Sequence, residues 1–371
     1  MFLVDAGVSL LDDSLILFFE NHALTGVRGT LSLMAGVAGF LVYSLMGLTL
    51  WIPKRLFLPL ALFNPIAGLV VIPFLIYAFN RIQQVTWAVS FYQVLLGLVV
   101  LFLLRRRRKL NWPLIPADQF QGPFFNWRNV WVFHLVNIAL VPFVAAYLLL
   151  CAGLAVHHFS DGFVALRAEG LTVQVRKYER QDGKTILLVP MAHIGENSFY
   201  RKLSLSFPTN STVLMEGVSD TGNLLTNRIS YEKMAKAIGV SEQQKVFRPR
   251  GKVVMADMDV GQFSKDTIDL LNLVMLLQAK GLNPDTVNEL MTRTEVAHVE
   301  EQFFEDILRK RNQHLLGEIQ KRLDESNHLV VPWGAAHMPE IAKGIEQAGF
   351  RATETNELVA IRFRFGAKRD K

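Results

Sequence analysis

Cysteine is almost absent from this 371-residue sequence, and the one that is present is Cys151. A single cysteine excludes an intrachain disulfide, a zinc site built on cysteine pairs and a Cys-x-x-Cys redox motif. Because Cys151 lies in an apolar stretch, it carries no information about the redox compartment in which the protein works.

Charged residues are scarce in the first 155 positions, which hold ten Lys and Arg and five Asp and Glu. Four stretches in this part contain no charged side chain. Each exceeds the ~20 residues that a helix needs to cross ~30 Å of hydrocarbon. The sequence therefore predicts a membrane region over residues 1–156 with about four transmembrane helices, at 29–53, 56–80, 82–104 and 129–156.

Two parts of this region depart from a plain apolar helix. Residues 1–22 mix apolar side chains with four acidic ones and lack both the basic start and the small-residue cleavage site of a typical signal peptide. They predict a short amphipathic helix at the membrane interface. The second predicted span contains three prolines, which are expected to kink or break it: Pro59, Pro65 and Pro73.

Basic residues of the membrane region cluster in two loops. The loop after the third span begins with five consecutive basic residues at 105–109 and adds Arg128, and the first loop carries Lys54 and Arg55. The run at 105–109 also suits a nucleic-acid or lipid patch, but its place beside a span favours a role in topology. The positive-inside rule then predicts an integral, multi-pass protein of a bacterial inner or cell membrane, with a following domain that is extracytoplasmic.

The chain after residue 155 has almost no excess of positive charge, because its 29 Lys and Arg are nearly balanced by 28 Asp and Glu. This near-neutrality argues against a nucleic-acid surface and leaves the lipid bilayer as the partner that composition predicts. Strand-like and helix-like segments alternate over residues 160–371, with some hairpins between them. That order predicts an α/β or α+β domain with a mixed sheet.

Two segments of this domain share one plan, an apolar strand that ends in a turn with a histidine. They place His193 and His337 at their turns, and Glu216 follows another apolar strand. Because ligands collect at the carboxyl ends of strands in open α/β sheets, we expect the three side chains to meet in one site. They suit a divalent metal ion, or metal-free activation of water with one histidine as the base. Arg311, on a long predicted helix, would pair with the carboxylate or stabilise an anionic transition state.

Each of these residues also has an ordinary structural interpretation. A histidine at a strand end is often a satisfied structural residue, Glu216 suits a helix cap, and Arg311 suits a solvated helix face. The joint pattern is more specific. Five short motifs make it up: Met191-Ala192-His193, Val213-Leu214-Met215-Glu216-Gly217, Lys310-Arg311-Asn312, Trp333-Gly334-Ala335-Ala336-His337-Met338-Pro339 and Gly349-Phe350.

These motifs resemble the TraB/GumN/Tiki superfamily, whose pattern is a Gly-x-x-His after one strand, a Glu after the next, an Arg-Asn or Arg-Asp on a long helix and a second Gly-x-x-His. The resemblance covers roughly residues 185–350 and not the membrane region. It implies the α/β fold of erythromycin-esterase and ChaN-like haem-binding proteins. The chain departs from the pattern at Pro190, which replaces the glycine of the first motif, and at Glu340, where the family has glycine.

The resemblance also implies a function, since some Tiki members are membrane-tethered, metal-dependent proteases and other members block peptide-pheromone signalling. We therefore expect a peptidase-like hydrolase that uses His193, Glu216, Arg311 and His337, with His193, Glu216 and His337 binding Mn, Co or Zn if a metal is needed. The alternative is a non-catalytic regulatory protein that binds a peptide or haem in the same cleft, which Pro190 favours. Transport is disfavoured because the predicted spans hold almost no ionisable residues.

Overall fold

The computed structural model describes residues 1–108, 123–226, 231–280 and 299–363. It divides into two compact units, Met1–Ala155 and Val156–Lys371. Each unit is described by itself below.

The first unit is built from long helices. In the described part of the chain, four helices are long and apolar enough to cross a membrane, as predicted: Thr25–Leu48, Lys54–Tyr77, Phe79–Arg106 and Trp127–Phe159. Between 6% and 22% of their apolar windows are buried, so most of each helix turns its apolar side chains outward, as lipid-facing helices do. The helices are α1 (Phe2–Phe19), α2 (Thr25–Leu48), α3 (Lys54–Tyr77), α4 (Ile82–Arg108) and α5 (Trp127–Phe159).

Two details of the membrane helices differ from the prediction. Helix α2 ends at Leu48, so residues 49–53 do not continue it. Helix α3 runs unbroken from Lys54 to Tyr77 although it contains all three prolines. Proline has a φ that fits a helix and removes one backbone donor, and a long helix with many other hydrogen bonds tolerates that loss.

The second unit contains a seven-stranded mixed sheet among its described residues. The strand order is β1-β2-β3-β8-β5-β7, and β9 pairs with β2. Strands β3, β8, β5 and β7 are parallel, whereas β1, β3 and β9 pair antiparallel with β2. The strands are β1 (Val164–Arg167), β2 (Gly170–Glu179), β3 (Thr185–Met191), β4 (Ile194–Gly195), β5 (Thr212–Met215), β6 (Ser241–Glu242), β7 (Lys252–Met255), β8 (His328–Gly334) and β9 (Arg351–Arg362).

Helices of this unit follow the strands, as the alternation of the sequence predicts. Strands β4 and β6 form a small antiparallel sheet of their own. A π-helical segment, Glu305–Lys310, joins two of the helices into one continuous rod. The helices are α6 (Asn197–Ser206), α7 (Glu232–Ile238), α8 (Gln243–Val246), α9 (Lys265–Lys280), α10 (Val299–Phe304), α11 (Arg311–Leu323) and α12 (Met338–Gln347).

The antiparallel part of the sheet follows from local turn chemistry. Gly183, in the Asp-Gly turn between β2 and β3, has a φ of +77°, which favours glycine. Strand β9 begins at Arg351 and pairs along the whole of β2.

Apolar side chains cover both faces of the parallel strands β3, β5 and β8, whereas β7 at the edge is largely exposed. On one face, α11 and α12 pack on Leu188, Val331 and Trp333. On the other face, α6 packs on Val189 and Val330. Parallel strands that are buried on both faces are rigid, and their carboxyl ends therefore hold side chains in fixed positions.

Candidate active site

Four chemically active side chains follow the carboxyl ends of the four neighbouring parallel strands. His193 follows β3, His337 follows β8, Glu216 follows β5 and Asp257 follows β7. Arg311 reaches Glu216, Asp257 and His337 from the first position of α11. The structure brings Glu216, Arg311 and His337 into direct contact and adds Asp257, whereas His193, which was expected to meet them, stacks on Tyr231.

Arg311 is the centre of this cluster. Its Nη2 donates to Glu216 Oε1 at 2.8 Å and to Asp257 Oδ2 at 2.6 Å, and its Nε donates to Asp257 Oδ1 at 3.0 Å. The side chain of Arg311 is 9% exposed. A bidentate pair with one carboxylate and a further bond to a second carboxylate fixes the guanidinium plane and compensates its buried charge.

Asp257 is the strongest partner of Arg311, and the sequence did not single it out as a site residue. Its side chain is 0% exposed. Besides Arg311, it accepts hydrogen bonds from the backbone N–H groups of Gly217 at 3.0 Å and Met258 at 2.9 Å. The signal for it was present, because Asp257 ends an apolar strand in the same way as Glu216 does.

Glu216 joins the ends of β5 and β8. Its Oε2 accepts from the backbone N–H of Gly334 at 2.6 Å, while its Oε1 accepts from Arg311. A Cβ at Gly334 would lie 3.4 Å from that same Oε2, so glycine lets the carboxylate approach the strand closely. The intact Gly-x-x-His motif therefore supplies a backbone donor to Glu216 as well as a histidine.

His337 is buried, with 5% of its side chain exposed. Its Nε2 lies 3.3 Å from Arg311 Nη1, and its Nδ1 lies 2.7 Å from Asn312 Oδ1. Arginine has only hydrogen-bond donors, so Nε2 of His337 is the acceptor. The proton of the neutral ring is therefore on Nδ1, and this N–H donates to Asn312 Oδ1. Asn312 in turn donates to Glu340 Oε2 at 2.6 Å, which gives the residue that departs from the family pattern a defined contact.

The charge state of His337 follows from these surroundings. Burial lowers its pKa, the positive charge of Arg311 lowers it further, and Glu216 and Asp257 oppose the shift, with a resulting pKa of about 4. His337 is therefore neutral at pH 7. An imidazole with so low a pKa is a poor general base at that pH, because the best catalytic pKa lies near the working pH.

His193 has different surroundings. Its side chain is exposed, and its ring stacks on Tyr231 with centroids 4.7 Å apart and planes 12° apart. The carbonyl of His193 accepts from the backbone N–H of Gln243 at 2.8 Å, and the N–H of Tyr231 donates to Glu242 at 2.9 Å. The β4–β6 sheet thus holds both rings in place. Burial raises the pKa of Tyr231, and the negative charge of Glu216 raises it further.

A charge on His193 makes the smallest of the contributions that lower the pKa of His337, after burial and Arg311. Four residues of the site were not predicted from the sequence: Asp257, Tyr231, Asn312 and Glu340. Asn312 stood within the Arg-Asn motif without a role, and Tyr231 carried no signal because its contact with His193 arises only from folding.

The predicted metal ligands do not form a metal site in this arrangement. Within the described ranges, no group of three or more His, Cys, Asp or Glu is placed to hold an ion. Glu216 Oε1 and His337 Nε2 are 3.6 Å apart, but the guanidinium of Arg311 contacts both. A divalent ion between them would lie beside a fixed positive charge, which repels it. The need for Mn, Co or Zn stays a prediction.

The site combines a rigid guanidinium, a neutral buried imidazole and an exposed imidazole at the carboxyl ends of parallel strands. Such a set suits proton transfer next to a stabilised negative charge. Comparison with known proteins gave no matching family model, no matching curated protein and no matching solved structure.

Proposed function

We propose that this chain is a membrane-anchored hydrolase of the TraB/GumN/Tiki type, and that it cleaves a peptide bond at the extracytoplasmic face of the membrane. The observation that supports this proposal best is the Arg311 cluster, in which Glu216, Asp257 and His337 surround one guanidinium. Orientation rests on the basic residues beside α3 and α4, which the positive-inside rule assigns to the cytoplasm.

His193 is the general base of the proposed reaction, because it is exposed while His337 is buried and bonded at both ring nitrogens. The oxygen of a water molecule attacks the carbonyl carbon, and one of its protons passes to His193. Negative charge develops on the carbonyl oxygen, which takes the place of the Ile307 carbonyl as an acceptor of Arg311 Nη1. The imidazolium then gives its proton to the leaving nitrogen as the C–N bond breaks, which yields a carboxylic acid and an amine.

Asp257, Glu216 and the His337–Asn312 pair position Arg311 rather than touch the substrate. Two carboxylates hold the guanidinium plane, and the neutral His337 accepts from its third nitrogen without adding positive charge. A guanidinium whose plane is held in this way needs little reorganisation when charge develops on the substrate.

Peptide cleavage by the full-length protein in nanodiscs tests the proposal. We expect turnover of some members of a peptide library, and a loss of roughly 10²–10⁴-fold in His193→Ala with the fold intact, which is the usual contribution of a general base. Arg201→Ala, an exposed change on α6, is the matched control and leaves turnover unchanged.

The same assay with a chelator, and with added Mn²⁺, Co²⁺ or Zn²⁺, tests the metal. Cleavage that persists with the chelator supports direct water activation by His193. Cleavage that requires an ion contradicts that step and leaves the hydrolase proposal standing. A folded protein that cleaves no peptide under any of these conditions contradicts the hydrolase proposal.

The second candidate function is a regulatory module that binds a peptide or haem without cleaving it. Pro190 favours it, since this residue has no N–H to offer where Gly334 of the other motif binds Glu216. A ligand that binds the folded protein raises its melting temperature by mass action. A rise with intact peptide or with haem, in the absence of cleavage, supports this candidate.

A further inference from the structure

Helix α1 turns its polar face into the protein and its apolar face outward. Four polar residues of this helix are buried, with Asp12 and Asp13 fully so: Asp5, Ser9, Asp12 and Asp13. Four apolar residues are each more than half exposed: Val4, Leu11, Phe18 and Phe19. The helix at a membrane interface that the sequence predicts would keep its polar face in water, and this helix does not.

Helix α2 satisfies part of the buried polar face. Arg28 Nη1 contacts Asp13 at 2.6 Å and Asp12 at 3.3 Å. Ser32 Oγ donates to Asp5 at 2.7 Å. Asp12 and Asp13 therefore meet Arg28 near the start of α2 while Asp5 meets a residue one turn further along, as expected of an antiparallel helical hairpin.

Helix α4 satisfies the rest. Ser90 Oγ donates to Asp13 at 2.6 Å, and Gln93 Nε2 donates to Asp5 at 2.9 Å. A Cβ at Gly97 would overlap the side chain of Leu3, so glycine allows α1 to lie directly against α4. From Asp13 to Asp5 to Leu3, the residue numbers of α1 fall while those of its α4 partners rise from Ser90 to Gly97. Helix α1 is therefore antiparallel to α4 as well.

The depth of α1 follows from these partners. Its 18 residues span about 27 Å at 1.5 Å per residue, close to the ~30 Å of hydrocarbon that a membrane helix crosses. They lie beside residues 83–97 of α4, inside its apolar stretch, and Phe2 packs edge-on against Phe63 near the middle of α3. Consistent with a covering helix, the apolar window of α4 is 22% buried, against 6–11% for the other three.

We infer that α1 is a fifth membrane-embedded helix, whose outer face of Val4, Leu11, Phe18 and Phe19 contacts lipid acyl chains. That face continues the exposed apolar surface of its neighbours, where Leu33 of α2 and Leu98 of α4 are also more than half exposed. Polar groups at membrane depth need partners from other helices, and α2 supplies them to all three aspartates while α4 supplies them to Asp5 and Asp13. The inference does not depend on the proposed hydrolase function.

Spin labels at single cysteines test this inference in full-length protein in nanodiscs. Cys151→Ala removes the one native thiol, and labels are placed with Val4→Cys and Leu11→Cys. We expect high accessibility to oxygen and low accessibility to a water-soluble nickel chelate, as for Leu98→Cys, the lipid-facing reference. Lys233→Cys, exposed on α7, is the aqueous reference.

Two outcomes overturn the inference. Nickel accessibility at positions 4 and 11 equal to that at position 233 places α1 in water or at the interface. Low accessibility to both reagents shows that another protein surface, such as a second copy of the chain, covers this face instead of lipid.

A cross-link provides a second measurement that does not depend on label mobility. Leu3→Cys with Gly97→Cys in the Cys151→Ala background is expected to form an intramolecular disulfide on mild oxidation, since the Leu3 side chain lies against Gly97. Leu3→Cys with Gly36→Cys is the matched control, since nothing lies within 4 Å of a Cβ at Gly36. Equal cross-linking of both pairs, or dimers in place of an internal link, contradicts the proposed packing.

Discussion

The two strand–turn–histidine units lie side by side, offset by one residue, and place their histidines in opposite environments. Pro190 of β3 pairs with Trp333 of β8, and Met191 pairs with Gly334. His337 is buried and bonded at both ring nitrogens, whereas His193 is exposed and stacks on one ring. The same local motif therefore gives a positioning residue in one case and a candidate base in the other.

Neighbouring strands explain the difference. Strand β8 lies between two parallel strands, β3 and β5, so its end opens into the Arg311 cluster. Strand β3 borders the antiparallel half of the sheet, and the chain after it turns into the small β4–β6 sheet. Pro190 lies beyond the last residue of β3 that pairs with β2, Leu188, so its missing N–H costs no ladder bond there.

The largest effect is expected from removing the guanidinium of Arg311, which holds Glu216, Asp257 and His337 together. Arg311→Met leaves the fully buried Asp257 without its counter-charge, and breaking a buried pair in this way costs about 3–5 kcal/mol. Arg311→Lys keeps the charge but not the planar fork and is expected to lose less. Thermal unfolding of the full chain measures both.

The matched control for Arg311 is Arg309→Met on the same rod, where the side chain is 67% exposed. It is expected to change stability by no more than about 0.5 kcal/mol. An Arg311→Met protein as stable as this control would show that the Arg311 cluster does not stabilise the fold.

The next effect is a pH dependence that separates the two histidines. The pKa of His337 is about 4 in the folded protein against 6.5 for an ordinary histidine, because of burial and Arg311. Below pH 6.5 the unfolded chain binds a proton that the folded chain does not, so stability falls as the pH drops from 6.5 to 4. The shift corresponds to about 3 kcal/mol.

Denaturation of His337→Gln and His193→Gln across this pH range checks the assignment. His337→Gln is expected to lose this part of the pH dependence, and His193→Gln, changed at an exposed ring, is expected to retain it. Identical pH profiles for the wild type and His337→Gln would show that His337 is not the group responsible.

A smaller effect is expected at the ring that supports His193. Aromatic pairs contribute about 0.5–1.5 kcal/mol, so Tyr231→Ala is expected to lower peptide turnover by up to roughly tenfold. Tyr231→Phe keeps the stacked ring and is the matched control, expected within about twofold of the wild type. Equal losses in both variants would assign the role to the hydroxyl group instead of the stack.

The smallest effect is expected from making the two motifs alike. Pro190→Gly frees the backbone of the unfolded chain and is expected to cost up to about 1 kcal/mol. Turnover is expected to stay unchanged, because Gly334 already supplies the backbone donor to Glu216. Pro208→Gly, at an exposed loop position, is the control for the entropy change. A tenfold rise in turnover would show that the missing N–H limits activity.

Strand ends were the most informative feature of the sequence. Apolar runs that stop at Glu216 and His337 predicted side chains that the structure brings together, and the same rule applied to Asp257 would have found it. Residues such as Tyr231 and Glu340 were beyond reach, because their contacts join segments distant along the chain. The sequence of α1 predicted a helix with its polar face in water, whereas the structure turns that face inward, because α2 and α4 offer it partners.

The π-helical segment Glu305–Lys310 has a consequence for how this rod tolerates changes in length. Asp306, inside it, and Arg311, directly after it, anchor the rod and lie five residues apart, and a π-helix joins residues i and i+5 by a backbone hydrogen bond. Asp306 thereby reaches Thr267 at the start of α9 while Arg311 reaches the carboxylates. In an α-helix, residues four apart share a face, so the rod carries one residue more than both anchors require. The π-helical segment accommodates this extra residue locally, without turning either end of the rod away from its partners.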